Sequence, residues 1–242
     1  MSDIQRALAQ VRARIAEACL RVNRDPSEVT LVAISKTASP AAILEAVAAG
    51  QRDFGENRVE EALPKIAHIS QATDHALCWH LVGHVQSRKA RDAAGAFALI
   101  HSVDSVRLAE KLSARCAAKG QTQAILLECN VSGEATKQGF PLHGWEGDRD
   151  RFTQFVQQVA QIAALPRLRI LGLMTMAPIV AHPDQARPVF ASLRALRDAL
   201  RAQLPDLPLQ HLSMGMTDDF EAAIAEGATM VRIGRAIFGP HG

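Results

Sequence analysis

The sequence predicts a single (β/α)8 barrel with one additional helix in front of it. Three observations carry this. Short apolar, β-branched runs alternate with amphipathic helical stretches along the chain, the pattern of a parallel sheet with crossover helices. Eight such units fit into 242 residues, the number and length a closed barrel needs. The turn after the first run reads Ser35-Lys-Thr-Ala-Ser39. It lacks the glycines by which an open doubly wound sheet holds a dinucleotide. No linker, low-complexity tract or charge block interrupts the chain, so one domain is expected over residues 1–242.

The elements follow in order. Residues 2–22 carry Ile4, Leu8, Val11, Ile15 and Cys19 or Leu20 at helical spacing, with arginines between them; this is an amphipathic covering helix. Leu31–Ser35 reads as the first strand and Pro40–Ala49 as a helix stopped by Gly50. Asp53-Phe54 is a minimal strand, and Glu56–His68 a helix kinked or broken at Pro64. Then come strand Cys78–Val82, helix Gln86–Ala94, strand Phe97–His101 and helix Ser105–Lys119. Strand Ala124–Asn130 leads into a long glycine-containing loop and helix Asp150–Ala164. Strand Leu168–Leu173, helix Asp184–Leu204, strand Leu209–Leu212, helix Asp218–Glu226 and strand Thr229–Ile233 complete the series, with a last helical turn after Gly234.

Composition excludes several functions. A formal net charge of only +2 supplies no field for nucleic acid or a membrane surface, and aromatics are too few for a base-stacking platform. Four widely spaced cysteines without a CxxC suit a reducing compartment. No apolar run approaches membrane-spanning length, and the N-terminus has no apolar signal core. A cytoplasmic protein is expected. The N-terminal helix can cover the barrel's own surface, and a monomer is expected.

In a barrel the carboxyl ends of all strands share one mouth. The first strand ends at Lys36, a lysine that could simply point to water or could form a Schiff base with an aldehyde. The second ends at Phe54-Gly-Glu-Asn57, where Asn57 could bond a ring substituent or cap a helix. The third ends at Trp79-His-Leu-Val-Gly-His84. His80 and His84 lie on a strand and its loop, not on a helix as in HExxH, so no metal site is expected. His84 is expected at the mouth and His80 in the interior. Ser102 or Asp104 is expected to cap the helix after the fourth strand. The fifth ends in the polar loop Asn130–Gly139, a candidate lid holding Lys137. After the sixth, Met174 and Met176 could pad a flat ligand or serve as core.

The last two ends, His211-Leu-Ser-Met-Gly-Met-Thr-Asp-Asp219 and Val231-Arg-Ile-Gly-Arg-Ala-Ile-Phe-Gly239, are glycine turns running into helices. Barrel phosphate sites are built there. Ser213 adds a hydroxyl, and Gly234 allows close backbone approach. Asp218 and Glu221 have capping-box spacing. Arg232 faces either a core carboxylate such as Glu128 or a ligand. A lysine and a phosphate cup in one mouth suggest a phosphorylated aldehyde, of which pyridoxal 5′-phosphate is the common one. Arginine at its pyridine nitrogen would make that cofactor a poor electron sink.

Together the runs Leu31–Thr37, Phe54–Asn57, Trp79–His84 with Gln86-Ser, Gly172–Met174, Leu212–Met216 with Asp218-Asp219, and Met230–Gly234 with Ala236–Gly239 resemble the pyridoxal phosphate homeostasis protein family. The resemblance implies a barrel like the N-terminal domain of alanine racemase, with pyridoxal phosphate as a Schiff base on Lys36. It implies Asn57 beside the cofactor, Arg232 at the pyridine nitrogen, and Ser213, Gly215 and Gly234 around the phosphate. His84 and Met174 are expected to line the site. The chain departs from the family at Arg58, where an aromatic is common, and at Arg235, where a small hydroxyl residue is common. Arg235 is therefore expected beside the phosphate as an added positive charge. The resemblance implies a carrier or regulator in cofactor homeostasis, with pyridoxal-phosphate-dependent apo-enzymes as partners and no catalytic residues. The alternative is a racemase or decarboxylase. Against it, the chain has no tyrosine and no length for the second domain that supplies one in alanine-racemase-like enzymes.

Overall fold

The computed structural model describes residues 2–239; the outer bounds of the expected domain, 1 and 242, lie outside them. Among the described residues there are nine strands and nine α-helices. In order they are α1 (Asp3–Leu20), β1 (Thr30–Ile34), α2 (Pro40–Ala48), β2 (Asp53–Glu56), α3 (Val59–Ala72), β3 (Cys78–Leu81), α4 (Ala90–Ala93), β4 (Leu99–Val103) and α5 (Val106–Lys119). There follow β5 (Gln123–Asn130), β6 (Phe140–Pro141), α6 (Arg149–Ala163), β7 (Leu168–Met174), α7 (Arg187–Gln203), β8 (His211–Ser213), α8 (Phe220–Ala225), β9 (Met230–Ile233) and α9 (Arg235–Phe238). All pairings are parallel, and the ring β1-β2-β3-β4-β5-β7-β8-β9 closes where β9 meets β1. β6 is a two-residue appendage to β5 within the long loop. The eight-stranded parallel barrel is as the sequence predicts.

Two apolar layers hold it together. Most core residues lie between strands and helices, among them Phe54, Phe155, Phe190 and Phe220, all essentially inaccessible. A smaller cluster of Leu99, Leu126, Met174 and Met230 fills the barrel's inside, as the alternation of strand side chains requires. Helix α1 packs on α8, α9 and α2 and so covers the seam between the last unit and the first. Arg14 on α1 bonds Glu221 at 2.8 Å and lies 4.6 Å over the Phe220 ring.

Local chemistry sets the element ends, and several differ from expectation. Pro64 stands inside α3 and does not end it; the helix runs on to Ala72. The expected helix Gln86–Ala94 is a 3-10 turn, Ser87–Lys89, followed by the single turn α4. The fourth strand lies two residues later than expected. His101 is therefore inside the barrel, not at its rim. Helix α5 is capped by Ser105, whose hydroxyl accepts from the Leu108 amide at 3.3 Å, and not by Ser102 or Asp104. Ser102 instead donates to the Gly83 carbonyl at 2.6 Å, and Asp104 faces His84. Ser105→Ala is expected to cost about 1 kcal/mol of stability, read by chemical denaturation, while Ser102→Ala should leave α5 unaffected.

Candidate ligand site at the barrel mouth

Lys36 follows β1 by two residues and shares the parity of Val32 and Ile34. Those two border Gly55 across the barrel's inside, Ile34 Cδ1 lying 2.4 Å from where a Gly55 Cβ would stand. Among the described residues the Lys36 ammonium has no hydrogen bond or ion pair. Its backbone is held from below. Lys65 on α3 donates to the Ser35 carbonyl at 2.8 Å and the Lys36 carbonyl at 3.4 Å, and pairs with Glu56 at 2.8 Å. The Ser35 hydroxyl donates to the same Glu56 oxygen at 2.6 Å. Glu56 is wholly buried, and its second oxygen has no partner. A buried carboxylate deprived of its cation is costly. Lys65→Met is expected to cost about 2 kcal/mol in denaturation, with much of the loss recovered on adding Glu56→Gln.

Arg232 on β9 is 5% exposed. It donates to the Ser213 hydroxyl at 2.7 Å and the Thr175 carbonyl at 3.0 Å. Burial brings its pKa down to about 10 against the opposing pull of Asp219 and Glu128. It has no direct ion pair with Glu128. Behind Ser213 runs a buried chain. His101 Nδ1 lies 2.8 Å from the Ser213 hydroxyl, His101 Nε2 lies 2.9 Å from His80 Nδ1, and His80 Nε2 lies 3.1 Å from Asp53. Burial, with His80 and Arg232 nearby, drives the His101 pKa well below the usual histidine range. The Ser213 hydroxyl was expected at the anion. In the structure it is wholly buried, accepts from Arg232 at 2.7 Å and lies 2.8 Å from His101 Nδ1, so it holds the guanidinium in position.

The two glycine loops meet as expected. Gly215 has φ +93°, and a Cβ there would lie 2.6 Å from Ala223 Cβ and 2.9 Å from Phe220 Cα; only glycine fits that turn. A Cβ on Gly234 would stand 3.2 Å from the Ile34 carbonyl, so the last loop lies directly against the end of β1, two residues before Lys36. Arg235 is exposed and pairs with Asp218, tying these loops together and offsetting the charge Arg235 adds. The capping box does not form: Glu221 is taken by Arg14, and Asp219 accepts from the Met216 amide at 2.6 Å.

Around the rest of the mouth, Asn57 is half-buried and its amide has no partner among the described residues. It does not cap α3; that position is Arg58, which pairs with Glu61 at 2.8 Å. His84 is exposed and its Nδ1 lies 3.0 Å from Asp104. Lys137 reaches from the loop after β5 to the Ala177 carbonyl at 3.2 Å. Asn130 holds that loop by donating to the Glu134 carbonyl and accepting from Ser132 and the Gly133 amide. Met174, expected to pad the ligand, is fully enclosed in the inner cluster and forms the floor beneath the mouth. The sequence offers Glu128 only as a partner for Arg232. A lone acid inside the apolar strand Ile125-Leu-Leu-Glu-Cys129 was the available signal.

Fold and mouth together define a parallel barrel with a partnerless lysine, a buried arginine and two glycine turns gathered at the carboxyl ends of its strands. Residues 7–241 match the family described as alanine racemase, N-terminal domain. The chain is 44% identical over 239 residues to the pyridoxal phosphate homeostasis protein of Pseudomonas aeruginosa PAO1, covering 99% of this chain and 96% of that one. It is 40% identical to the protein of that name from Escherichia coli K12, covering 99% and 97%. PipY of Synechococcus elongatus PCC7942, solved with PLP bound, superposes with a TM-score of 0.81 at 38% identity, covering 98% of this chain and all of that one. The chain belongs to the pyridoxal phosphate homeostasis protein family, within the alanine racemase N-terminal domain family. Among the described residues, no helix is long and apolar enough to cross a membrane.

Proposed function

We propose that this chain is a pyridoxal 5′-phosphate-binding protein that holds the cofactor as a Schiff base on Lys36 and takes part in its homeostasis as a carrier without catalytic turnover. The observation that carries this is the Lys36 ammonium, partnerless among the described residues and two residues past β1, whose last residue Ile34 lies against Gly234. The donors present suit the group: an amine for the aldehyde, an amide at Asn57, backbone N–H groups of the Gly215 and Gly234 turns with Arg235 for the phosphate, and Arg232 for the pyridine nitrogen. The bound group supplies a reactive aldehyde and a conjugated ring. Arg232, fixed by Ser213 and Thr175, would disfavour a proton on a ring nitrogen held beside it and so would weaken the ring as an electron sink. His84 flanks the mouth, and Met174 supports its floor. We assign the whole of residues 1–242 to one domain, acting as a cytoplasmic monomer that hands cofactor to apo-enzymes.

Exchange of the α-hydrogen of amino acids, followed in deuterated water with the loaded protein, tests the carrier reading. Exchange far below 1 per second is expected; exchange at or above roughly that rate, typical of enzymes, would overturn it in favour of a racemase or decarboxylase.

A further inference from the structure

One buried carboxyl at the mouth has no role in the site as described. Glu128 lies near the carboxyl end of β5, on the parity of Leu126, whose side chain is in the barrel's inner cluster. In the closed ring β5 is diametrically opposite β1, with three strands between them on either side. Glu128 therefore stands across the mouth from the strand that delivers Lys36. It is 3% exposed, and among the described residues its carboxyl has neither hydrogen bond nor ion pair. The charged groups that act on it are Asp104 at the end of β4, Arg232 on β9 and Lys137 in the loop above β5. Asp104 is engaged with His84, Arg232 with Ser213 and Thr175, and Lys137 with Ala177. None of them neutralises Glu128 by contact. A partnerless carboxylate in so enclosed a place is poised to take a proton when further negative charge enters.

We propose that Glu128 is a ligand-facing group of the mouth, and that binding of a phosphorylated aldehyde at Lys36 draws one proton from solvent onto the Glu128 carboxylate. The step forms one O–H bond and involves no electron transfer. It makes retention of the anionic ligand depend on pH: the site holds its ligand more tightly where Glu128 is neutral and loosens as the carboxylate ionises. Burial, with Asp104 adding to it, raises the Glu128 pKa to about 7 in the free protein, so the transition falls in the neutral range. This inference rests on the carrier reading and deepens it, since a proton-linked affinity is a means of release.

The test compares pyridoxal phosphate affinity of the wild type and Glu128→Gln between pH 6 and pH 8.5. Lysine and phosphate ionisation shift both profiles alike, so the ratio isolates Glu128. Near pH 6 the two affinities should nearly agree; by pH 8.5 Glu128→Gln should bind on the order of tenfold more tightly. Difference infrared spectra on loading the wild type at pH 8 should show a new protonated-carboxyl band that is missing from Glu128→Gln. Parallel profiles with no such band overturn the role of Glu128 while leaving Lys36 binding intact. Binding that survives Lys36→Ala unchanged would instead sink the carrier reading on which this rests.

Discussion

Lys36→Ala is expected to abolish the visible absorbance of the loaded protein and to lower its affinity for pyridoxal phosphate by roughly a hundredfold, about 3 kcal/mol. The fold should survive. Lys36 lies outside β1, and its ammonium holds no partner among the described residues. The clamp beneath it, Lys65 with Glu56 and Ser35, uses only backbone atoms of residue 36. Residual affinity would come from the glycine turns and Arg235. Equilibrium dialysis together with a melting curve separates loss of binding from loss of structure. An alanine variant that keeps the visible band would place the linkage on another lysine, such as Lys137 in the loop after β5.

Glu128→Gln is expected to stabilise the free protein at neutral and alkaline pH by roughly 3 kcal/mol, an upper bound set by a carboxyl raised from 4.5 to about 7. The raised pKa means that folding favours the protonated acid. Below pH 4.5 the carboxyl is neutral in both states, and the substitution changes nothing. Between pH 4.5 and 7 the unfolded chain ionises while the folded one holds its proton, so the wild type loses stability relative to the glutamine variant. Above about pH 7 the difference is constant. Denaturant titrations at pH 4, 6 and 8 check the sign and the window; a variant no more stable than wild type at pH 8 would mean that Glu128 finds a partner in solution.

The fold was readable because its signal is repetitive. Each βα unit carries its own apolar run, and several carry their own glycine stop after the helix, as at Gly50, Gly95 and Gly120. Eight of them leave few architectures open. The two glycine turns could be placed for a similar reason: Gly215 and Gly234 sit in sequence where the last strands end. The wiring behind Arg232 was not readable. Ser213 is 112 residues from His101, and nothing local distinguishes a hydroxyl that faces a phosphate from one that accepts from an arginine beside a buried histidine. The fourth strand compounds this, because a shift of two residues carries His101 from the rim into the interior. Met174 illustrates the same limit: parity puts it inside, but its depth depends on Leu99, Leu126 and Met230 from three other strands. The clamp under Lys36 joins α3 to the ends of β1 and β2, and only the closed fold brings those groups together.

On this reading Lys36 carries the cofactor. The most direct measurement is an absorbance spectrum of the protein after incubation with pyridoxal phosphate, followed by borohydride reduction and peptide mapping. A visible band and a single pyridoxyl adduct on Lys36 is the predicted result. No band, or an adduct spread over surface lysines with Lys36 unmodified, would contradict it and leave the strand-end lysine a structural residue.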